Sequence, residues 1–265
     1  MSENLPHLRL DRPIAGVAVL TLDNPEQRNA MSAEMTASWA SAVDELAADR
    51  DLRCVVVTGE GRAFCSGGNT SWIASEPDAT VDELRSRMIT FYRSWLSIRK
   101  LEVPTIAAVN GAAIGAGLCV ALACDVRYAA AGATLGAPFV RLGMHPGMAS
   151  TYLLPNEVGD AAARDLLLTG RLVGAEEALS LGLVSRVIDD ATFLDEVLAT
   201  AEQVAGNAPV PTRYTKVALA GGGHADFDTA LQWEALAQPI TLATEDLQEG
   251  IRAAQEKRAP AFRGR

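Results

Sequence analysis

The chain has 265 residues, enough for one large or two small domains, and its 49% hydrophobic content excludes a disordered chain. A net charge of −10 argues against a nucleic-acid partner. There is no apolar run long enough for a membrane span and no signal pattern in MSENLPHLRL, and Cys54, Cys65, Cys119 and Cys124 lack C-x-x-C pairing, so they read as reduced thiols of a cytoplasmic protein.

Leu8 to Leu22 (LRLDRPIAGVAVLTL) alternates around Pro13 and Gly16 as a two-stranded hairpin, which Asn24-Pro25 ends. Ser32 is the expected N-cap of a helix to about Ala48, with Met35, Trp39, Val43 and Leu46 as its core face. Arg53 to Thr58 (RCVVVT) is a buried-strand pattern that runs into Gly59-Glu60-Gly61 and then AFCSGGNT. Residues 70–79 read as a polar loop over a site, where Trp72 either lines an apolar pocket or anchors the loop. Thr80 and Glu83 have capping-box spacing, and the helix they open carries Leu84, Met88, Phe91, Trp95 and Ile98 as a core stripe.

Thr105 to Val109 is the next buried strand, broken by Asn110-Gly111. Gly111, Gly115 and Gly117 follow, and then a small, apolar stretch, Leu118 to Cys124, long enough for two helical turns. Glycines permit tight turns and close backbone approach, and amides at a helix start lack partners and carry partial positive charge. Two strands that each end in a Gly-rich loop can aim two amides at one developing oxyanion. Two other readings compete. Glycines after a strand can simply make a tight turn, and Gly111, Gly115 and Gly117 imitate a dinucleotide fingerprint. The latter is opposed by the mid-chain position, the lack of Tyr followed by Lys four residues on, and Val120 at the sixth place counted from Gly115.

Strands are expected at Val126–Ala130, Thr134–Gly136 and Leu183–Ile188, and helices near Met148 to Val158, Asp160 to Leu168 and Ala175 to Leu181. Three helical patterns close the chain: Thr192 to Asn207, Pro211 to Ala220, and Asp226 to about Lys257, the last broken near Pro239 and Thr244. Strands thus alternate with helices before an all-helical end, which makes the class α/β with a C-terminal helical subdomain.

AFCSGGNT and NGAAIGAGLCVALACDVRYA resemble the two signature segments of the enoyl-CoA hydratase/isomerase (crotonase) superfamily. The likeness extends to LTLDNPEQRNAMS, LGMHPG, LTGRLVGAEEALSLGLVSRVI and EKRAPAFRG, nearly the whole chain. The resemblance implies a spiral of ββα turns over residues 1–195 and a helical region, 196–265, that assembles homotrimers or hexamers. It implies an acyl-CoA thioester as substrate, with coenzyme A as part of that substrate and no separate cofactor or metal. The Gly68 and Ala116 amides would then stabilise the thioester enolate. Arg28, Ala30, Ser66 and Gly68 would lie along CoA, and Lys257 and Phe262 would reach a neighbour's CoA.

The acid–base groups depart from the family pattern. The two places where hydratases carry glutamates hold Cys119 and Phe139, and the place where other members put an acid is Gly147. Orthodox hydration is therefore not expected, and isomerisation or C–C cleavage stands beside it. His145 has an imidazole suited to proton transfer, or else packs at the helix start. Cys119 lies near a helix N-terminus, where a thiol pKa can fall, but also reads as a small core residue. Asn69 can orient a substrate without acting as a base, and Phe139 with Met144 would form an apolar wall. A phosphate-bearing ligand must meet local basic residues, for which Arg28, Arg62, Lys257, Arg258, Arg263 and Arg265 are candidates. The other reading is a non-catalytic acyl-CoA-binding protein of the same fold.

Overall fold

The computed structural model describes residues 2–69, 78–220, 224 and 226–265. Trp72 lies outside the described residues. The predicted hairpin forms as β2 (Leu8–Ile14) and β3 (Val17–Leu22), turning at Gly16 with φ 76°. A strand that the sequence does not announce, β1 (Ser2–Leu5), pairs antiparallel with β2. Its segment, SENL, is too short to show a hydrophobic period.

Helix α1 (Ala33–Ala48) starts where the Ser32 hydroxyl accepts from the Met35 amide at 3.1 Å, and it buries Met35, Trp39, Val43 and Leu46. Three ββα turns follow. The first is β4 (Cys54–Gly59), β5 (Ala63–Cys65) and α2 (Val81–Trp95); the second is β6 (Thr105–Val109), β7 (Ala112–Ile114) and α3 (Ala116–Ala123). The third is β8 (Val126–Ala130), β9 (Thr134–Gly136) and α4 (Ser150–Thr169). In each turn the first strand joins a seven-stranded sheet, β1-β2-β3-β4-β6-β8-β11, and the second joins a four-stranded sheet, β10-β9-β7-β5. Here β10 is Leu172–Gly174 and β11 is Arg186–Ile188, with α5 (Ala175–Ser180) between them. Helices α6 (Phe193–Ala205), α7 (Pro209–Leu219), α8 (Phe227–Leu242) and α9 (Glu245–Glu256) complete the chain. The expected α/β spiral with a helical C-terminal region is what forms.

The period of two within the central strands builds two cores. Val55 and Val57 face the main core with α1 to α4, whereas Cys54 and Val56 face a second one closed by Phe193, Val197 and Ala201 of α6. The Thr80–Glu83 capping box is present, but only the end of the predicted α2 stripe is deeply buried. Trp95 stacks on Trp39 at 4.9 Å and donates to Thr36 Oγ1 at 3.0 Å, while Leu84 and Met88 are half-buried. Ile98 falls in a 3-10 turn after the helix. The stretch expected as a glycine turn contains β7. The two helices expected between 148 and 168 are one run, kinked at Gly159 (φ 74°, ψ 163°). The predicted break at Pro239 does not occur, because α8 is exposed there and water can cover the carbonyl that the missing N–H leaves unpaired. The chain breaks at Thr244, whose hydroxyl caps α9 through the Leu247 amide at 3.3 Å. None of the described helices is long and apolar enough to cross a membrane.

All four thiols are free and buried, and burial pushes each up from 9.0 to about 12. A thiol whose folded pKa is raised stabilises the fold fully below its unfolded pKa and loses that contribution as pH rises toward the folded value. Stability is therefore expected to fall between about pH 9 and 12, by up to ~1.4 kcal/mol per pH unit for each thiol. Urea unfolding across that range checks this, and a flat profile to pH 11 would contradict it.

Candidate active site

Parallel pairing sets the two Gly-rich loops side by side. β4 pairs with β6 (Val55 opposite Thr105) and β5 with β7 (Ala63 opposite Ala112), so residues 66–69 lie against the start of α3. The approach is so close that side chains are excluded. A Cβ on Gly117 would stand 2.1 Å from the Cys65 carbonyl oxygen, and one on Gly111 2.1 Å from that of Arg62. These contacts account for the spacing that imitates a dinucleotide fingerprint. Gly67 has φ 95°, and a Cβ there would lie 2.7 Å from the Ile114 carbonyl oxygen and 3.3 Å from the Ala116 amide nitrogen.

The loop and the helix each present an amide. Met31 pairs with Gly68 through its own N–H to Gly67 O (2.9 Å) and through the Asn69 N–H to Met31 O (3.3 Å), and the Gly68 N–H takes part in neither bond. Ala116 is the first residue of α3, so its N–H has no intrahelical acceptor. Its N-cap, Gly115, has φ 57° and is tied to β9 by its amide to Gly136 O at 2.8 Å. Two donors with no acceptor among the described residues therefore sit on facing segments, one at the positive end of a buried helix.

A third loop is stapled to this pair by Asn29, a residue that the sequence reading missed. Asn29 is 0% exposed, with φ 56°; its amide donates to Ala63 O (2.7 Å) and Glu60 O (3.0 Å), and its Oδ1 accepts from the Asn24 amide (2.9 Å). The Ser66 amide then donates to Arg28 O at 3.0 Å and the Ser66 hydroxyl to Gln27 O at 3.4 Å. Arg28, Ala30, Ser66, Gly68 and Asn69 are thus brought to one rim, with the Arg28 side chain exposed. The available signal was Asn following Arg28, since Asn tolerates the left-handed region better than most residues.

Phe139 packs over the N-cap, where a Cβ on Gly115 would touch its ring at 3.7 Å. Cys119, one turn past Ala116, is fully buried and donates to Gly147 O at 3.6 Å. The possibility that the helix terminus lowers its pKa is overturned. Burial outweighs it and pushes the thiol up to about 12. Cys119 is a protonated core residue. His145 is exposed, and its Nδ1–H donates to the Pro146 carbonyl at 2.8 Å, with no contact to the amide pair recorded among the described residues.

Lys257 and Phe262 are not brought to this rim within the protomer. Lys257 ends α9 in the left-handed region and is exposed; Phe262 packs on Gly250, and its carbonyl accepts from Arg53 at 3.4 Å. Arg53 precedes β4, at the end of the strand opposite the Gly-rich loop. Two of the candidate basic residues are spent on ion pairs, Arg258 with Glu249 and Glu256 and Arg265 with Glu245. Beside Met31 a cavity of about 450 Å³ opens between α1 and α2, lined by Thr36, Thr90, Phe91 and Ser94. A larger one, about 630 Å³, lies at the far end of α3 around Leu122 to Asp125 and does not include the paired amides.

The sequence profile described as "Enoyl-CoA hydratase/isomerase" matches residues 13–265. A putative enoyl-CoA hydratase of Thermus thermophilus is 42% identical over 249 residues, 93% of this chain and 97% of that one. An (E)-benzylidenesuccinyl-CoA hydratase of Thauera aromatica is 36% identical over 252 residues, 94% of this chain and 96% of the relative. The crystal structure of an enoyl-CoA hydratase from Bacillus anthracis superposes with a TM-score of 0.92 at 31% identity, covering 98% of this chain and 100% of that one.

Proposed function

The chain belongs to the enoyl-CoA hydratase/isomerase family, and on that premise we propose that it transforms an acyl-CoA thioester through an enolate held by the Gly68 and Ala116 amides. One observation carries this: Gly67 brings the two loops so close that its missing Cβ would stand 3.3 Å from the Ala116 nitrogen. As the enolate forms, the thioester oxygen gains charge between two donors already in place. A preorganised donor of this kind lowers the barrier by roughly 3–4 kcal/mol, about 10²–10³ in rate. In this reading Arg28, Ala30, Ser66 and Gly68 follow the CoA moiety, and Asn69 orients the acyl group. CoA enters as part of the substrate and no further cofactor is needed. Buried, unpaired thiols support a reducing compartment such as the cytoplasm.

The reading extends to a homotrimer or hexamer assembled through residues 196–265. Helix α8 buries none of its residues and exposes Phe227, Leu231 and Leu242 on one face and Leu236 and Ile240 on the other, apolar side chains that suit contact with other copies. Lys257 and Phe262 would then serve a neighbouring subunit's CoA.

Which reaction follows the enolate is argued from the groups beside it. A buried thiol at Cys119 and a phenyl ring at Phe139 do not activate water, so isomerisation or C–C cleavage is favoured over hydration. His145 is the imidazole proposed to move the proton. The test is mass spectrometry of 2-enoyl-, 3-enoyl- and 3-oxoacyl-CoAs after incubation with the protein, with chromatography to resolve isomers. The expected result is a mass-neutral shift or loss of part of the acyl chain, and rapid gain of water would sink it. The same assay on His145→Ala separates a proton-moving imidazole from a structural one. The lack of a carboxylate at 119 and 139 also favours a second reading, an acyl-CoA binder without turnover. Saturable binding with an unchanged panel is its outcome.

A further inference from the structure

Tyr92 lies on α2, and the sequence pattern passes it over as a neighbour of the core stripe. Its hydroxyl fills the space that a side chain at 147 would take, since a Cβ on Gly147 would stand 2.5 Å from Oη and 3.1 Å from Cζ. Gly147 O is also the acceptor of the Cys119 thiol, and Cys119 is three residues past Ala116, on the same face of α3. The phenol therefore stands on the face of α3 that carries Cys119, which lies an axial step of ~4.5 Å past Ala116. Its ring is fixed edge-on to Phe91, with centroids 6.2 Å apart.

The hydroxyl has one free function. Partial burial raises its pKa, so at neutral pH it keeps its proton. The O–H is left to donate, and none of the described residues accepts it. Phe139, packed over Gly115, adds an apolar surface to the same site.

We propose that Tyr92 is a specificity-determining hydrogen-bond donor of this site, which selects acyl-CoAs that carry an oxygen at C3 of the acyl group. With the thioester oxygen on the Ala116 amide, a carbonyl or hydroxyl oxygen two carbons along the chain comes within reach of the phenol. A plain alkyl chain leaves that O–H without a partner in an apolar wall, which is costly. The inference rests on the acyl-CoA reading above.

Calorimetric titration of the full chain with acetoacetyl-CoA and with butyryl-CoA, for wild type and Tyr92→Phe, tests it. The phenylalanine keeps the ring and its contact with Phe91 and removes only the hydroxyl. Wild type is expected to bind acetoacetyl-CoA about tenfold more tightly, the size of one net hydrogen bond. Tyr92→Phe is expected to erase that preference by weakening acetoacetyl-CoA and sparing or tightening butyryl-CoA, whose retained binding is the control for folding. Equal affinity of wild type for the two thioesters, or equal weakening of both by the substitution, overturns the role of Tyr92 and leaves the acyl-CoA reading standing. Failure of wild type to bind either thioester overturns both.

Discussion

Ala116→Pro lowers turnover of the responsive acyl-CoA by roughly 10²–10³-fold while leaving the fold intact. The substitution is chosen for its position. Ala116 is the first residue of α3, where proline is tolerated because the N–H has no helical acceptor and the fixed φ suits the first turn. The preceding residue is Gly115, whose lack of a Cβ removes much of the usual clash before proline. Deleting this one amide therefore removes half of the proposed oxyanion hole, and the pyrrolidine ring intrudes on the rest. Steady-state rates, with the melting temperature as control, decide it. Turnover within threefold of wild type, with the fold retained, would place the oxyanion elsewhere.

Asn29→Ala costs about 3–5 kcal/mol of stability and disorganises the CoA rim. The side chain is fully buried, and its loss leaves the carbonyls of Glu60 and Ala63 and the Asn24 amide without their partner. Alanine must also hold φ 56°, at a further ~1 kcal/mol. Asn29→Gly separates the two causes. It relieves the backbone and recovers about 1 kcal/mol, with the hydrogen bonds still missing. Urea unfolding measures both variants. A loss below 1 kcal/mol for Asn29→Ala would mean that water replaces the staple and that the loops hold together without it.

The sequence by itself determined the class, the strand and helix order and the two Gly-rich loops. The reason is that these features are local: a period of two in RCVVVT and TIAAV, a cap at Ser32, a capping box at Thr80, and glycines where backbones must approach. It also supplied both family signatures, hence Gly68 and Ala116 as the amides to look for. The tertiary structure decided matters that depend on what lies across a contact. Burial, not the helix terminus, sets the state of Cys119, because desolvation depends on the surrounding core. Asn29 is a staple only because the carbonyls of Glu60 and Ala63 arrive from a distant strand and loop. Gly147 is small because Tyr92, from α2, occupies its side-chain space, and that contact turned a residue the helical period had hidden into a candidate for reading the substrate. Phe262 shows the same division: the resemblance pairs it with a CoA site, while the fold ties its carbonyl to Arg53, at the end of β4 opposite the Gly-rich loop.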